Sequence, residues 1–272
     1  MCGIAGFSIC DKEHRLIRAR VLGRELLLQI EQRGRDATGA VWSENTEDGK
    51  QLFYAKDNVP ARQFVRDNME LIPKYTRTAL FHTRYATQGS PTNNDNNHPI
   101  AVPRIIGVHN GHIANDDKVF AELGVERIAE VDSEAIFQLI ANSADPIEAL
   151  PKLEGRAAVA WFEADDPHTM HLARLEGSPL WVGHTVNGSL VFASTRQLLT
   201  KAAENAHVRL QTIWEVPEWL YLKVVKGEIV ERRAIKEPTY ALGDDGEWEW
   251  ERPAPRAPKV GLREMLDSVY FG

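Results

Sequence analysis

A cysteine occupies the second position of the chain, in the opening residues Met1-Cys2-Gly3. Removal of Met1, which a small following side chain favours, would leave Cys2 with a free α-amino group beside its own thiol. Such an amine has an intrinsic pKa of about 7.7–8.0, so it can accept the thiol proton near neutral pH and later return a proton to a leaving amine. Cys2 is therefore a candidate nucleophile that needs no histidine. The alternative is a structural or merely initial cysteine, and the second cysteine, Cys10, is expected to be a buried strand residue.

Three further polar positions could complete a reaction centre around a thiol. The Asn110 amide and the Gly111 backbone N–H could donate to one developing oxyanion, although an Asn-Gly pair after a strand also fits an ordinary turn. Arg84, at the end of an apolar strand, could hold a carboxylate with two parallel hydrogen bonds or could be a surface arginine. Asp132 could pair with a substrate ammonium or could cap the helix that follows it.

Three histidines, His98, His109 and His112, lie close enough in sequence to suggest a metal site. A His-x-x-His pair beside a glycine lacks the helical register and the carboxylate company of the usual zinc sites. We therefore expect no metal and no cofactor, and His109 is expected to be a structural residue at a strand end.

The pattern of elements favours an α+β fold. Apolar residues spaced three and four apart predict a helix over residues 15–31, and a second helix is expected to begin near Asp132. Most other apolar runs alternate and meet at tight turns, for example at Asn187-Gly188 and Lys226-Gly227. Hairpins outnumber β-α-β crossovers, so the sheets should be antiparallel and covered by helices.

The composition excludes several function classes. The 272 residues carry a formal net charge of −7, which argues against a nucleic-acid or anionic-membrane partner. No apolar run approaches the roughly 20 residues that span a bilayer. The N-terminus lacks the basic and apolar regions of a signal peptide, and two cysteines cannot form a disulfide framework. A reducing, cytoplasmic location is expected.

The last part of the chain differs in composition from the rest. Residues 237–272 are rich in proline, glycine and acidic residues and predict an irregular tail. Within it, residues 261–272 place apolar side chains on one face of a short helix: Leu262, Met265, Leu266 and Val269. A helix this short is marginal alone in water, so we expect it to pack on the chain itself or on a partner.

Six short motifs occur in an order that resembles one known family. They are CGIAGF at 2–7, QRGRDATG at 32–39, HTRYATQG at 82–89, HPI at 98–100, VHNGHIAN at 108–115 and VDSEAI at 131–136. Together they look like the class II glutamine amidotransferase domain, an N-terminal-nucleophile (Ntn) hydrolase. The resemblance implies a four-layer αββα sandwich over residues 2–236, with two antiparallel sheets covered by helices and residues 237–272 as a separate tail.

The resemblance also implies roles for particular residues. The catalytic ones would be Cys2 as nucleophile, with Asn110 and Gly111 as the oxyanion hole. The substrate-binding ones would be Arg84 on the glutamine carboxylate, Asp132 on its ammonium, and Tyr85, Thr87 and Gln88 nearby. Structural support would come from Arg33, Asp36 and His98, with Arg33 ordering the nucleophile's strand by hydrogen bonds.

Three positions depart from the family pattern or vary within it. Tyr85 stands where relatives have Trp or Tyr, and Gln88 replaces a histidine of some members. His112 replaces an aliphatic residue and could change the mouth of the pocket.

The implied activity is hydrolysis of the L-glutamine side-chain amide through a γ-glutamyl thioester, giving glutamate and ammonia. Its partners would be L-glutamine, a separate acceptor or synthase protein that receives the ammonia, and, through self-association, a second copy of the chain. Two alternatives stay open: a hydrolase of another γ-glutamyl amide on the same scaffold, and a non-catalytic glutamine-sensing subunit.

Overall fold

Two antiparallel sheets stack face to face and carry helices on their outer surfaces. The computed structural model describes residues 1–47, 49–242 and 248–251. Residues Met1–Ile235 form one compact unit that contains both sheets. This architecture confirms the predicted α+β sandwich.

Sheet A has seven strands in the described part of the chain, in the spatial order β11-β9-β10-β1-β4-β2-β3. Every neighbouring pair is antiparallel. Its strands are β1 (Gly3–Ser8), β2 (Ala37–Thr46), β3 (Gly49–Asp57), β4 (Thr78–Arg84), β9 (Trp181–Thr185), β10 (Leu190–Ala193) and β11 (Leu210–Glu215). Because β1 lies between β10 and β4, the strand that follows Cys2 is held from both sides.

Sheet B has six strands among the described residues, in the order β13-β12-β8-β7-β6-β5, and is also antiparallel throughout. Its strands are β5 (Ile100–Val102), β6 (Ile105–Ile113), β7 (Gly155–Glu163), β8 (Asp166–Arg174), β12 (Leu220–Val225) and β13 (Glu228–Ala234). The predicted hairpin turns at 187–188 and 226–227 are confirmed: they join β9 to β10 and β12 to β13.

The helices are α1 (Ala19–Ile30), α2 (Ala61–Asn68), α3 (Asp116–Leu123), α4 (Ser133–Ala141), α5 (Pro146–Ala149) and α6 (Arg196–Asn205). One apolar core joins sheet A to α1 and α6, where Phe7 packs with Leu22 and Leu199. A second core joins sheet B to α4, where Trp161 belongs to the same cluster as Ile136. Side chains alternate between the two faces of a strand, so the residues between these core positions point into the space between the sheets.

The first helix is shorter than the predicted span of 15–31, because α1 begins only at Ala19 and residues 11–16 form turns. The reason lies at Glu13, whose buried carboxylate accepts hydrogen bonds from Thr185 Oγ1 and, at 3.1 Å, from Asn187 Nδ2. These partners tie the segment to the β9–β10 hairpin. A long-range polar contact has therefore overridden a local helical pattern.

The C-terminal part of the chain is a second unit, Lys236–Gly272. In it, β14 (Thr239–Leu242) pairs antiparallel with β15 (Trp248–Glu251), where the sequence predicted an irregular tail. The predicted helix at 261–272 lies outside the described residues, and the domain division at residue 236 stays a prediction.

Several histidines are buried in the sandwich and remain uncharged. Burial lowers the pKa of His82 to about 3 and that of His171 to about 4. His171 shares a 2.7 Å hydrogen bond with the Tyr221 hydroxyl and stacks on Trp161. In the unfolded chain each imidazole has its ordinary pKa near 6.5.

These shifts make the protein sensitive to mild acid. Below pH 6.5 the unfolded chain binds protons that the native state does not, so the free energy of unfolding falls as the pH falls. The expected loss approaches about 1.4 kcal/mol per pH unit for each histidine, until the pH nears its folded pKa. Urea unfolding at pH 7, 6 and 5 measures the slope, and His171→Phe should reduce it. Stability that is flat or rising from pH 7 to 5 would contradict this assignment.

Candidate active site

Cys2 immediately precedes β1 and is half-buried. Its Sγ lies 3.7 Å from the carbonyl oxygen of Tyr85, and its own carbonyl accepts a 2.7 Å hydrogen bond from Arg33 Nε. Strand alternation places Cys2 on the same face as Ile4, away from α1 and toward sheet B. The Arg33 bond fixes the backbone of the cysteine and leaves its thiol directed into the space between the sheets.

Arg84 is the last residue of β4 and is almost fully buried. Its Nη1 donates to Asn97 Oδ1 at 2.8 Å, and its Nη2 donates to the carbonyl oxygens of Gly89, at 2.8 Å, and of Gln88. The guanidinium thus ties the carbonyl groups at 88–89 to Asn97, the last residue of the loop 85–97. Burial lowers the pKa of Arg84, but a guanidinium keeps its proton at neutral pH.

The remaining predicted residues of this loop occupy its surface. Tyr85 and Thr87 are exposed. The contact that Gln88 makes to Arg84 uses its backbone carbonyl, so its side chain is not needed for that contact. Asp36 holds the loop from the other side, because its Oδ2 accepts a 2.7 Å bond from the Ala86 N–H.

Asn110 and Gly111 lie inside β6, so the alternative interpretation of this pair as an ordinary turn after the strand is wrong. The strand continues to Ile113, with Asn110 opposite Ala158 and Gly111 opposite Ala157 on β7. The neighbouring strand β7 continues the hydrogen-bonded ladder through the Asn-Gly pair. The local sequence cannot show this pairing. Asn110 is buried, and Gly111 has a φ of +157°.

Strand β6 turns Asn110 toward the nucleophile's sheet. Ile105 and Ile113 belong to the apolar cluster on the helix side, so the alternate positions, including Asn110 and His112, face the other way. Strand β6 packs against both β1 and β4. Asn110 and Cys2 therefore project into the same inter-sheet space.

Asp132 sits at the position before α4 but makes no capping hydrogen bond through its side chain. Instead its Oδ2 accepts a 2.6 Å bond from the Ile113 N–H and lies 3.4 Å from His112 Nδ1. Its Oδ1 accepts a 3.4 Å bond from the Ser133 hydroxyl. The carboxylate is thus directed at the end of β6, and the alternative interpretation as a helix cap does not hold.

The electrostatics link these side chains into one site. Burial raises the pKa of the Cys2 thiol above its ordinary value, while the terminal amino group and Arg84 lower it and Asp132 raises it. A cation and a carboxylate therefore both act on the same sulfur. Because burial has the largest effect, the thiol is protonated at neutral pH and needs a base to become a nucleophile.

The histidines divide between two sides of sheet B. His109 faces α4, where its Nδ1 lies 2.9 Å from the Ser133 hydroxyl, whereas His112 contacts Asp132. His98 is buried and its ring stacks on that of His82, with 4.0 Å between ring centroids. His82 was missed by sequence analysis, and its place directly after the apolar run Ala79–Phe81 of a buried strand was the one available signal.

Among the residues that the structure describes, no three His, Cys, Asp or Glu side chains are grouped so as to hold a metal ion. Within the same residues, no helix is long and apolar enough to cross a membrane.

The fold is shared with solved amidotransferases. The Bacillus subtilis glutamine phosphoribosylpyrophosphate amidotransferase aligns with a TM-score of 0.69 at 19% identity, over 86% of this chain and 49% of that one. A glutamine aminotransferase class-II domain protein from Silicibacter pomeroyi aligns with a TM-score of 0.54 at 17% identity, over 86% of this chain and all of that one. These similarities, with the two-sheet architecture, define an Ntn-type sandwich.

Sequence comparison adds the family. Residues 82–201 match the family model described as a glutamine amidotransferase domain. The chain is 30% identical over 259 residues to glutamine–fructose-6-phosphate aminotransferase (isomerizing) of Photorhabdus laumondii, covering 90% of this chain and 41% of that protein. The enzyme of the same name from Aquifex aeolicus is 36% identical over 194 residues, which cover 67% of this chain and 31% of that protein.

The chain therefore contains a class II, Ntn-type glutamine amidotransferase domain, as the motifs had indicated. It spans less than half the length of the curated relatives it matches. The roles of its individual site residues stay predictions.

Gly111 should tolerate no side chain. A Cβ at this position would lie 1.8 Å from the Arg156 carbonyl oxygen and 2.6 Å from His109 Nε2, so Gly111→Ala must displace β6 from β7. We expect a loss of roughly 3 kcal/mol or more in the free energy of unfolding, measured with urea. Gly124→Ala is the control. Gly124 has a φ of +64°, and a Cβ there would meet no atom within 4 Å apart from its chain neighbours and its own helix, so the substitution should cost about 1 kcal/mol. Equal losses of unfolding free energy in Gly111→Ala and Gly124→Ala would contradict the predicted clash between a side chain at position 111 and β7.

Proposed function

We propose that this domain is a glutamine amidohydrolase that uses Cys2, exposed by removal of Met1, as its nucleophile. The observation that carries the proposal is the placement of two opposite charges at one end of the sandwich. Arg84 ends β4, directly before Tyr85, whose carbonyl oxygen lies 3.7 Å from the Cys2 Sγ, and Asp132 is bound to the Ile113 N–H at the end of β6. A free amino acid presents one carboxylate and one ammonium at fixed separation. L-Glutamine bound between these two side chains would bring its amide carbon to the thiol.

The reaction has two halves, formation of a thioester and its hydrolysis. The α-amine of the processed Cys2 accepts the thiol proton, and the thiolate attacks the amide carbon of glutamine. The oxyanion of the tetrahedral intermediate accepts hydrogen bonds from the Asn110 side chain and the Gly111 backbone N–H. As the C–N bond breaks, the protonated amine returns a proton to the leaving nitrogen, and ammonia departs from the γ-glutamyl thioester. Water, deprotonated by the same amine, then hydrolyses the thioester to glutamate.

Supporting residues hold this arrangement. Arg33 binds the Cys2 carbonyl, Asp36 holds the backbone at Ala86, and Asn97 orients the Arg84 guanidinium. His112 adds an exposed imidazole beside Asp132, with its Nδ1 3.4 Å from the Asp132 Oδ2.

The ammonia is proposed to reach an acceptor on a separate protein or on a further part of the assembly. Support comes from the relatives, whose names describe amino transfer and which extend well beyond the matched region. Affinity capture with the intact protein, followed by identification of a bound synthase, is the direct search for that partner.

Replacement of the nucleophile separates the catalytic proposal from a sensing role. Cys2→Ala should abolish release of glutamate from L-glutamine while leaving the fold intact, whereas the same change at buried Cys10 should leave most of the turnover. Intact mass should show active protein without Met1, and hydroxylamine should trap a γ-glutamyl hydroxamate only when Cys2 is present. Turnover by the Cys2→Ala protein, or by protein that fully retains Met1, would contradict the mechanism.

The oxyanion assignment predicts a specific kinetic effect. Asn110→Ala should lower kcat by roughly 10²–10³-fold with little change in KM, because the lost hydrogen bond forms only as charge develops. The matched control is Asn205→Ala at the end of α6, where the amide donates to Glu25 and should leave both constants unchanged. If Asn110→Ala instead raised KM and spared kcat, Asn110 would be a ground-state binding residue.

A further inference from the structure

One histidine links the two sheets close to the proposed reaction centre. His82, fully buried on β4, has its Nε2 3.1 Å from the backbone carbonyl oxygen of His109 on β6. In the sheet A register His82 lies opposite Ile4, two residues after Cys2. The carbonyl that it contacts belongs to the residue immediately before Asn110. A single side chain therefore connects the nucleophile's sheet to the strand that carries the oxyanion donor.

The direction of this hydrogen bond follows from the chemistry of its partners. A carbonyl oxygen can only accept, so His82 must carry its proton on Nε2. Burial lowers the pKa of His82 to about 3, so the ring is neutral and its Nδ1 is unprotonated. The ring cannot rotate freely, because His98 stacks on it at 4.0 Å with 22° between the ring planes.

The same point of β6 is held from its other side. The His109 ring lies 2.9 Å from the hydroxyl of Ser133, the residue after Asp132. His109 is thus bound to sheet A through its carbonyl and to the start of α4 through its imidazole. Asn110 is the next residue along β6, so both contacts of His109 restrict its position.

We propose that His82 is a positioning residue: its hydrogen bond to the His109 carbonyl sets the separation between Cys2 and Asn110. The inference rests on the proposed function, and it gives His82 a role in catalysis that involves no contact with the substrate. A displacement of the donor by about 1 Å can lower a rate by up to 10²-fold, so the effect should fall on kcat.

The chain offers a matched control at the opposite end of the sandwich. There His168 on β8 crosses to sheet A, with its Nδ1 2.9 Å from the Ser43 hydroxyl on β2. His168 is also buried and neutral at pH 7, since burial lowers its pKa to about 4. Ser43 lies far along β2 from Ala37, which pairs with Arg84 at the site.

The test compares His82→Leu, His82→Gln and His168→Leu in the intact protein. His82→Leu should lower kcat for glutamine about 10- to 100-fold at nearly unchanged KM. His82→Gln keeps an N–H donor at a similar reach and should recover most of that loss. His168→Leu should lower thermal stability without lowering kcat. Equal kcat losses in His82→Leu and His168→Leu, or no recovery in His82→Gln, would overturn the proposal.

A double-mutant cycle identifies the route of the effect. In an Asn110→Ala background, His82→Leu should cost less than about 3-fold in kcat, because the donor that it positions is already gone. A full 10- to 100-fold loss in that background would show that His82 acts elsewhere. If His82→Leu does not fold, the shorter amide of His82→Asn removes the same contact and carries the same expectation.

Two measurements that do not depend on enzymatic turnover test this inference separately from the proposed function. Nitrogen-15 chemical shifts of the His82 ring should show a proton on Nε2 and none on Nδ1 from pH 5 to 8. A crystal structure of His82→Leu or His82→Asn should show a wider Cys2 Sγ to Asn110 Nδ2 separation than in the unsubstituted protein. Absent glutaminase turnover together with these results would reject the function and keep the positioning role. The opposite tautomer or an unchanged separation would reject the positioning role itself.

Discussion

Face-to-face packing of two sheets, with a two-residue repeat in every strand, decides which side chains can meet in this protein. The faces that carry Phe7 and Trp161 bury apolar groups against helices. The opposite faces are left to line the inter-sheet space, and at one end of it they present Cys2 and Asn110. A shift of one residue in the register of β1 or β6 would send these groups into the cores. The central position of β1 and the long β6–β7 ladder resist such a shift.

Charge is distributed unevenly within that space. At one end of the sandwich a guanidinium and a carboxylate are both held by backbone groups: Arg84 by loop carbonyls, and Asp132 by an N–H of β6. The buried histidines between and beyond them are neutral, so they add hydrogen bonds without adding charge. The field at the Cys2 sulfur is therefore set by a few fixed groups, which is consistent with the zwitterionic ligand proposed for this site.

Much of this site could be predicted from the sequence, because its residues lie in short motifs whose order is diagnostic of the family. The fold class followed from hairpin turns such as Asn187-Gly188, which depend on local chemistry. The failures have a common cause in contacts between distant residues. The N-terminal shortening of α1 depends on Glu13 reaching the β9–β10 hairpin, and the strand through Gly111 depends on its ladder with β7. The role of His82 could not be predicted locally, since its partner is the backbone of a strand in the other sheet.

The hydrogen bonds of Arg84 position its guanidinium but do not remove its positive charge. Its three acceptors are an amide oxygen and two carbonyl oxygens, all of them formally neutral. They orient the guanidinium without neutralising it, and the carboxylates of Asp36, Asp132 and Glu130 act on it only through space. The guanidinium therefore keeps its positive charge before any ligand arrives. Small carboxylates in a buffer, such as acetate or citrate, would meet the same geometry as an amino-acid carboxylate. The occupancy of the site would then depend on the anions of the medium as well as on the concentration of its ligand.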